Sequence, residues 1–342
     1  MRSRNQRPKH SWLMLADFPL FLAPMAGVTN TVFRRICKAR GADVLTTEFV
    51  SAEGILHRNA RTKHYLEFFE EERPLGVQLF GADPEHLAEA ARAVIDWVEP
   101  DFLDLNFGCP VNKVVCRNGG CALLRDLPLL ARIAHAVITA AHPVPVTAKI
   151  RIGWDHRSVN AVQAAKTLEQ CGIGRIAVHG RTKEQGYSGR ANWSVIAEVA
   201  AAVGVPVIGN GDIGSAQDAL ERKNEANVAG LMIGRAAMAS PWIFSEIRTA
   251  LLTGIFPAAP TREQKWRLMR DHCSQEIIWR RDERFAMKAM RSRLMAYTRG
   301  MPGAPRLRHR LAQVGSLAEL EDVAASELAL DEICLQPASI NN

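Results

Sequence analysis

The chain has 342 residues, of which 47% are hydrophobic, and it can therefore bury one large core with a smaller one, or a barrel with an appendage. It contains no run of eighteen uninterrupted apolar residues, so the sequence predicts no membrane span. Its seven cysteines lack the even, regular spacing of a disulfide framework, which fits a reducing compartment and predicts a cytoplasmic protein.

The net charge of +7 is spread unevenly along the chain. Residues 1–10 contribute +4, and residues 11–260 balance to zero. Residues 261–314 hold fourteen Lys and Arg against five Asp and Glu, whereas residues 315–342 carry six acids and no base. A neutral body with a basic module predicts a catalytic core beside a polyanion-binding surface. A helical appendage whose charges only keep it soluble is the alternative.

Strand-like and helix-like segments alternate from the amino end onward. Trp12–Leu22, after four basic residues, imitates a signal peptide, but Asp17 and Pro19 interrupt it. Eight strands with helices between them predict a (β/α)8 TIM barrel over residues 1–255. An open doubly wound sheet is the alternative, but no G-x-G-x-x-G turn follows the first strand. The predicted strands are Leu20–Ala26, Val44–Val50, Leu75–Gly81, Phe102–Gly108, Val144–Ile152, Arg175–Gly180, Val205–Gly209 and Gly230–Gly234, and the clearest helices are Pro84–Val98, Leu127–Ala141, Val159–Cys171, Trp193–Val203 and Ala216–Ala226.

The fourth predicted strand ends at a lone cysteine, Cys109, which Pro110 follows. The carboxyl ends of parallel strands carry the chemistry of α/β barrels, so Asn106 and Cys109 are candidate site residues. An inert buried cysteine is the alternative, although such a residue more naturally lies within the apolar run. The spacing of Cys109, Cys116 and Cys121 fits neither zinc nor iron–sulfur templates, so we expect no metal.

Polar residues also stand near the ends of other strands. Gln78 offers a donor and an acceptor to the edge of a heterocycle. An inward-pointing Lys149 is costly unless it faces an anion or developing negative charge; an ion pair with Asp104 or Glu48 is the alternative. His179 taken alone is more often a core histidine than a ligand.

Small residues follow three of the strands. Ala23–Thr29, after the first strand, lets a flat cofactor approach the backbone. Gly209–Ile213 and Ile233–Ala236, after the last two strands, form the usual phosphate cradle of such barrels. A ligand that carries a phosphate is therefore expected, although many barrels share this feature.

The pattern changes after the barrel. Gly254–Thr261 is a proline-rich linker, and Thr261 with Gln264 predicts the start of a helix. Residues 256–342 are predicted to form a basic helical domain with an acidic tail, which begins as a helix and ends unstructured at Asn341 and Asn342.

Seven ordered motifs resemble those of one family, the bacterial tRNA-dihydrouridine synthases, and are nearest to its B-type branch. These enzymes use FMN to reduce uridine in tRNA. The resemblance runs from about Phe21 to Trp242, and the basic helical domain is similar to the family's tRNA-binding appendage. The motifs are Ala-Pro-Met-Ala-Gly-Val-Thr (23–29), Asn-Phe-Gly-Cys-Pro (106–110), Gly-Gly-Cys-Ala-Leu-Leu-Arg (119–125), Ala-Lys-Ile-Arg-Ile-Gly-Trp (148–154), Val-His-Gly-Arg-Thr (178–182), Gly-Asn-Gly-Asp-Ile (209–213) and Met-Ile-Gly-Arg-Ala (232–236).

The resemblance implies roles for individual residues. Cys109 is the catalytic acid, and Asn106 fixes the edge of uracil with a paired donor and acceptor. NADPH or NADH is the reductant, and the enzyme is expected to act on tRNA as a monomer, without membrane or metal. The implied FMN-binding residues are Pro24, Met25, Ala26, Gln78, Lys149, His179, Asn210, Gly211, Asp212, Gly234 and Arg235.

Further residues are expected to hold the RNA. Arg181 or Arg190 would contact uracil or the backbone. Arg280, Arg284, Lys288 and Arg291 are predicted to share one helix face and to follow phosphates together, with Arg281 and Arg293 beside them. A flavin barrel acting on a free pyrimidine or dihydroorotate, which has no use for a basic domain, and a non-enzymatic RNA-binding protein are the alternatives.

Overall fold

A computed structural model describes residues 17–57 and 60–335. Within these residues the chain forms two compact units. One takes in the chain up to Ala237 together with Ile243–Phe256, and the other takes in Met238–Trp242 together with the chain from Pro257. The basic amino end and the predicted unstructured end at Asn341 and Asn342 lie outside the described residues.

The first unit is built on a parallel sheet. Its strand segments are β1 (Leu20–Leu22), β2 (Leu45–Thr46), β3 (Val50–Ser51), β4 (Leu75–Phe80), β5 (Phe102–Phe107), β6 (Val146–Arg151), β7 (Ile176–His179), β8 (Val207–Asn210) and β9 (Gly230–Ile233). They pair in the order β1-β9-β8-β7-β6-β5-β4-β2, and β3 also pairs with β4. The ring closes where Phe21 bridges Val44 in parallel, with the Leu22 amide donating to the Val44 carbonyl at 3.0 Å. The predicted (β/α)8 barrel is confirmed.

The predicted strands are mostly trimmed by one or two residues at their ends, and two of them differ more from the prediction. The first stops at Leu22 because the amides of Val28 and Thr29 both donate to the Met25 carbonyl, which folds the chain into a turn with Gly27 at φ +66°. The predicted strand Val44–Val50 is divided into β2 and β3, which share one position beside β4.

The helices begin where their sequences place a cap. Pro84–Val98, Leu127–Ala141 and Ala216–Ala226 have the predicted bounds, and Asp83, Asp126 and Ser215 accept amide hydrogen bonds at their first turns. The helices are α1 (Thr31–Lys38), α2 (Ala52–Leu56), α3 (Ala60–Leu66), α4 (Pro84–Val98), α5 (Asn112–Val115), α6 (Leu127–Ala141), α7 (Ala161–Gln170), α8 (Trp193–Ala202), α9 (Ala216–Ala226), α10 (Arg235–Ala239), α11 (Ile243–Thr253), α12 (Arg262–Arg280), α13 (Glu283–Tyr297), α14 (Ala304–Leu311) and α15 (Leu317–Leu335), with 3-10 turns at Glu70–Glu72 and Gly120–Arg125.

The barrel interior has an apolar layer and a polar layer. Side chains alternate along each strand, so residues two apart face the same side. The apolar layer is one buried cluster of Phe21, Ala23, Val44, Phe102, Ala177, Ile208 and Met232. Two residues further along β5, β7 and β8 stand Asp104, His179 and Asn210, which places polar groups toward the carboxyl ends of the strands.

The second unit contains α12 to α15. Thr261 caps α12 through the predicted capping box with Gln264. This helix ends at Arg280, Arg281 adopts φ +57°, and Asp282 caps α13 by accepting from the Phe285 amide. The prediction that Arg280, Arg284, Lys288 and Arg291 share one helix face is therefore wrong for Arg280. No helix of the described chain is long and apolar enough to span a membrane.

Candidate active site

The registers of β4 to β9 bring the polar residues of the barrel together. Gln78 is level with Asp104 on the neighbouring strand, and Asn106 is level with Lys149. His179 is level with Asn210. The predicted site residues of four different motifs thus converge at one end of the barrel, where such folds place their active sites.

Cys109 sits in a tightly held loop directly after β5. It is 7% exposed, and its amide donates to the Asn106 side-chain oxygen at 2.8 Å. Its carbonyl accepts from the Cys121 amide at 3.1 Å, and a Cβ on Gly120 would come within 2.7 Å of that carbonyl. The Asn118–Gly120 segment therefore packs beside the cysteine, and glycine is required at 120, where φ is +59°.

Burial keeps the Cys109 thiol protonated. Removal from water raises the pKa of Cys109, and a hydrogen bond from the Val111 amide only partly offsets this. The group that the sequence assigns to proton donation is therefore a thiol at neutral pH.

Asn106 is fixed by hydrogen bonds on both sides of its amide. The side-chain oxygen accepts from the amides of Gly108 and Cys109, at 3.1 Å and 2.8 Å. The side-chain nitrogen donates to Gln78 Oε1 at 2.8 Å, and Gln78 Nε2 donates in turn to Asp104 Oδ2 at 2.6 Å. The acceptor expected to bind uracil is thus already in use, which leaves one N–H of Asn106 for a ligand.

Lys149 has an amide rather than a carboxylate as its partner. Its Nζ donates to Asn210 Oδ1 at 3.1 Å, and the Asn210 amide donates to the Met232 carbonyl at 2.7 Å. Burial, and then the nearby Arg151, lower the pKa of Lys149 to about 8.

The ion pairs proposed as alternatives for Lys149 do not occur in the described chain. Asp104 accepts from Gln78 and Thr147, and Glu48 accepts from the Gly27 amide at 2.6 Å. A cation held without a counter-charge suits an anionic or electron-rich ligand.

His179 is a neutral imidazole among cations. Burial, followed by the charges of Lys149, Arg151 and other arginines, lowers the pKa of His179. The imidazole is 7% exposed, with the guanidinium of Arg181 at 3.5 Å from its Nε2. It can therefore donate or accept a hydrogen bond without carrying charge at neutral pH.

Asp212 organises two of the predicted arginines. The Arg181 guanidinium donates to both Asp212 oxygens at 2.8 Å, and Arg235 Nη2 donates to Asp212 Oδ1 at 3.1 Å. Although burial opposes it, the Ala191 amide and these guanidinium groups lower the pKa of Asp212. Arg181 is 2% exposed and also donates to the carbonyls of Ser188 and Gly189, whereas Arg190 is exposed.

The two glycine segments offer donors suited to a phosphate group. The backbone amides of Gly211, Asp212, Gly234 and Arg235 donate to no group of the described chain. The Arg235 guanidinium is half exposed and lies 4.7 Å from the centre of the Tyr187 ring. Unpaired amides beside an accessible arginine match the chemistry of a phosphate monoester.

The predicted residues of the first turn lie at the same end of the barrel. Pro24 and Met25 are half-buried, and Ala26 is exposed. The Gly27 amide donates to Glu48 Oε2, which holds this turn against the segment between β2 and β3. Met25 Sδ would lie 3.7 Å from a Cβ on Gly234, so the first turn adjoins one arm of the predicted cradle.

Sequence reasoning missed several residues of the site. Thr147 and Asp104 extend the Gln78 and Asn106 network, and their places on neighbouring strands become visible only with the register. Arg151, which lies two residues after Lys149 on β6, donates to the carbonyls of Gly108, Thr182 and Gly186 and so joins the loops that follow β5 and β7. The described residues contain no group of three or more His, Cys, Asp and Glu placed to hold a metal ion.

In the second unit the predicted RNA contacts differ in exposure. Arg281, Arg284 and Lys288 are exposed. Arg280 pairs with Glu276 at 2.7 Å, and Arg291 donates to the carbonyls of Gln313 and Val314. Arg293, also predicted to lie beside these contacts, is only 8% exposed.

A second basic cluster in that unit was not predicted residue by residue. The Glu327 carboxylate, 1% exposed, pairs with Arg262, Arg306 and Arg310 at 2.8–3.0 Å. One acid thus holds three guanidinium groups, two of them on α14.

The closed parallel barrel carries a polar site with a buried lysine at the carboxyl ends of its strands. These features are typical of (β/α)8-barrel enzymes. A family model described as Dihydrouridine synthase (Dus) matches residues 21–333. The chain belongs to the dihydrouridine synthase family.

Curated relatives agree in length as well as in sequence. The tRNA-dihydrouridine synthase B of Pseudomonas aeruginosa is 40% identical over 308 residues, which cover 90% of this chain and 91% of that protein. The probable tRNA-dihydrouridine synthase 1 of Synechocystis is 36% identical over 315 residues, covering 92% and 87%. Among solved structures, a variant of NCR from Zymomonas mobilis superposes with a TM-score of 0.51 at 14% identity, over 70% of this chain and 87% of that chain. That likeness concerns the fold alone.

Proposed function

We infer that this protein reduces uridines of tRNA to 5,6-dihydrouridine. Membership of the dihydrouridine synthase family supports this activity, as do relatives named tRNA-dihydrouridine synthase. The observation that carries it is one site with a protonated thiol, an amide donor and a lysine without a counter-charge. A reduction that adds a proton to one carbon and a hydride to its neighbour needs these groups.

We propose FMN as the cofactor, with NADPH or NADH as the reductant. Reduced FMN supplies the hydride for C6 of uracil. The unpaired amides and Arg235 suit its phosphate, and the Lys149 cation can stabilise negative charge on its ring. The residues proposed to hold it are Pro24, Met25, Ala26, Gln78, Lys149, His179, Asn210, Gly211, Asp212, Gly234 and Arg235.

Residues of the chain position the substrate and move the proton. Cys109 Sγ carries the proton that C5 of uracil receives, and burial keeps it protonated until then. The unpaired N–H of Asn106 donates to a uracil carbonyl. Exposed Arg190 contacts the RNA backbone, whereas buried Arg181 holds Asp212, one of the proposed FMN-binding residues, in place.

The second unit supplies the charge that binds tRNA. Residues 284–318 contain eight Lys and Arg and no Asp or Glu. A uridine of folded tRNA reaches the barrel only when it is flipped out of its stack, so the flanking backbone has to be held. The exposed Arg281, Arg284 and Lys288, together with α14, are proposed to hold this flanking backbone. We propose the cytoplasm, where tRNA is processed, as the location of the protein.

The test is direct. Purified protein, NADPH and tRNA transcribed without modifications should give a product that contains dihydrouridine, identified by its gain of two hydrogens in nucleoside mass spectrometry. Mapping by mass in a deletion strain then gives the position. Consumption of NADPH with free uracil or orotate, and none with tRNA, would refute the proposal in favour of a small-molecule enzyme.

A further inference from the structure

The loop backbone at Gly108 and Cys109 determines the orientation of the Asn106 side-chain amide. Gly108 and Cys109 point their backbone amides at it, at 3.1 Å and 2.8 Å. A backbone N–H can only donate, so the oxygen of Asn106 has to face the loop and its nitrogen has to face away. These two loop amides are therefore paired only while Asn106 keeps this one orientation.

The orientation of Asn106 in turn determines that of the Gln78 side-chain amide. The Asn106 nitrogen lies 2.8 Å from the oxygen of Gln78, which accepts from it. The nitrogen of Gln78 must then point onward, and its donor has to find an acceptor further inside the barrel. Because Gln78 is fully buried, water does not provide one.

Asp104 is that acceptor. Its Oδ2 accepts from Gln78 Nε2 at 2.6 Å, and its Oδ1 accepts from the Thr147 hydroxyl at 2.5 Å. Asp104 is 5% exposed and lies level with both partners on the neighbouring strands. A carboxylate offers only acceptors to an amide, so it allows one orientation of Gln78.

We propose that Asp104 is a positioning residue for Cys109. It acts through Gln78 and Asn106. Asp104, Gln78 and Asn106 thus form a chain of three hydrogen-bonded side chains, which ends on the backbone amides of Gly108 and Cys109. Its catalytic consequence rests on the proposed function, whereas its effect on the loop does not. Asp104 itself touches neither the thiol nor the substrate.

Two substitutions at this position separate the acceptor from the charge. Asp104→Leu keeps the branched shape of the side chain, with bulkier methyl groups in place of the two oxygens, but leaves the Gln78 donor without an acceptor. Asp104→Asn removes the charge but keeps an oxygen for Gln78, because the Thr147 hydroxyl can accept from the new amide. That hydroxyl can then donate to the Leu103 carbonyl, which lies 3.3 Å away. Thr147→Val, which leaves the Asp104 carboxylate in place, is the matched control.

The first readout is the rate at which iodoacetamide alkylates Cys109 in the full-length protein. Trypsin separates this residue, in the peptide that ends at Lys113, from the exposed Cys116 in residues 114–117. Asp104→Leu should raise the Cys109 rate about tenfold, since a buried hydrogen-bond chain has lost its end. Asp104→Asn and Thr147→Val should stay within about threefold of the parent, and Cys116 should be unchanged in all.

The second readout compares the formation of dihydrouridine with the oxidation of NADPH in the absence of tRNA. Asp104→Leu should form dihydrouridine about tenfold more slowly at saturating tRNA, with little change in the KM for tRNA. Its oxidation of NADPH without tRNA, measured at saturating FMN because Gln78 is also a proposed FMN-binding residue, should match the parent, and Asp104→Asn should restore most of the lost rate. An equal loss in Asp104→Leu and Asp104→Asn would overturn the proposal, because the charge would then matter rather than the acceptor.

The proposal would also be overturned if iodoacetamide alkylated Cys109 in Asp104→Leu at the same rate as in the parent protein. A parent that makes no dihydrouridine refutes the proposed function but leaves the alkylation test intact. If circular dichroism shows that Asp104→Leu does not fold, Gln78→Met breaks the same chain one residue later. This variant should expose Cys109 to alkylation in the same way, and an unchanged rate would again refute the inference.

Discussion

The Lys149 ammonium donates to the side-chain oxygen of Asn210 at 3.1 Å and forms no ion pair with a described carboxylate. Asn210 is held in turn by its bond to the Met232 carbonyl. The protein therefore fixes the position of a cation without neutralising it. Such an arrangement costs free energy until an anion or an electron-rich ring arrives, which ties this pair to ligand binding rather than to folding.

The affinity for FMN should consequently fall as the pH rises through the pKa of Lys149. Burial and Arg151 lower that pKa to about 8, so the cation is present below this pH and is lost above it. The Kd for FMN, measured by quenching of flavin fluorescence, should rise about fivefold between about pH 8 and about pH 9. The phosphate does not contribute, because its second pKa is about 6 and its ionisation is therefore nearly complete by about pH 8.

Two variants at the same position provide the controls. Lys149→Arg stays charged across this range, so its Kd should not depend on pH there. Lys149→Met should bind FMN weakly at every pH. An unchanged pH dependence in Lys149→Met would mean that another group titrates.

Cys109→Ala should separate the two halves of the reaction. The variant should retain FMN and be reduced by NADPH at the parental rate, because only the proton donor is lost. Formation of dihydrouridine should fall by a factor of about 100 or more, the usual contribution of general acid catalysis. Stopped-flow absorbance follows the reduction, and nucleoside mass spectrometry follows the product. Normal modification by Cys109→Ala would require a different acid.

The barrel and much of its site could be predicted because local patterns determine them. Alternating strands and helices gave the fold, and side-chain caps gave the bounds of α4, α6 and α9. Cys109 was found because it stands just beyond an apolar strand rather than within it, and Lys149 because a lysine is rarely buried in a core. Whether these residues bind the proposed ligands stays a prediction.

The parts that could not be predicted depend on register or on a rare backbone conformation. Asp104 meets Gln78 only because β4 and β5 pair at that level, which no local pattern specifies. The break after Arg280 places a non-glycine residue, Arg281, at φ +57°. Asp282 could have signalled this break, since aspartate followed by glutamate is a common helix start.

Glu327 should be essential to the stability of the helical unit. It is buried and pairs with arginines from α12 and α14, so Glu327→Gln leaves three guanidinium groups facing one another. We expect a loss of about 3 kcal/mol in the free energy of unfolding, measured by urea titration of far-UV circular dichroism. Glu321→Gln, an exposed residue of the same helix, is the control and should change little. Equal stability of the two variants would contradict the expected role of Glu327.

Binding of tRNA should weaken steeply with salt, and the slope should report which arginines contact phosphates. Each lost contact lowers the log–log slope by about 0.7–0.9. The exposed Arg281, Arg284 and Lys288 should each show this effect when changed to alanine.

Arginines that already bind other groups of the protein show how a structural role differs from a phosphate contact. Arg291 already donates to two backbone carbonyls, so Arg291→Ala should lower stability more than it changes the salt slope. Filter binding at a series of salt concentrations measures the slope, with FMN absorbance to confirm an intact barrel, and urea titration of far-UV circular dichroism measures the stability. If the exposed cations can all be replaced without changing the slope, the RNA is bound elsewhere. In that case the positive charge of residues 284–318 serves only to keep the helical unit soluble.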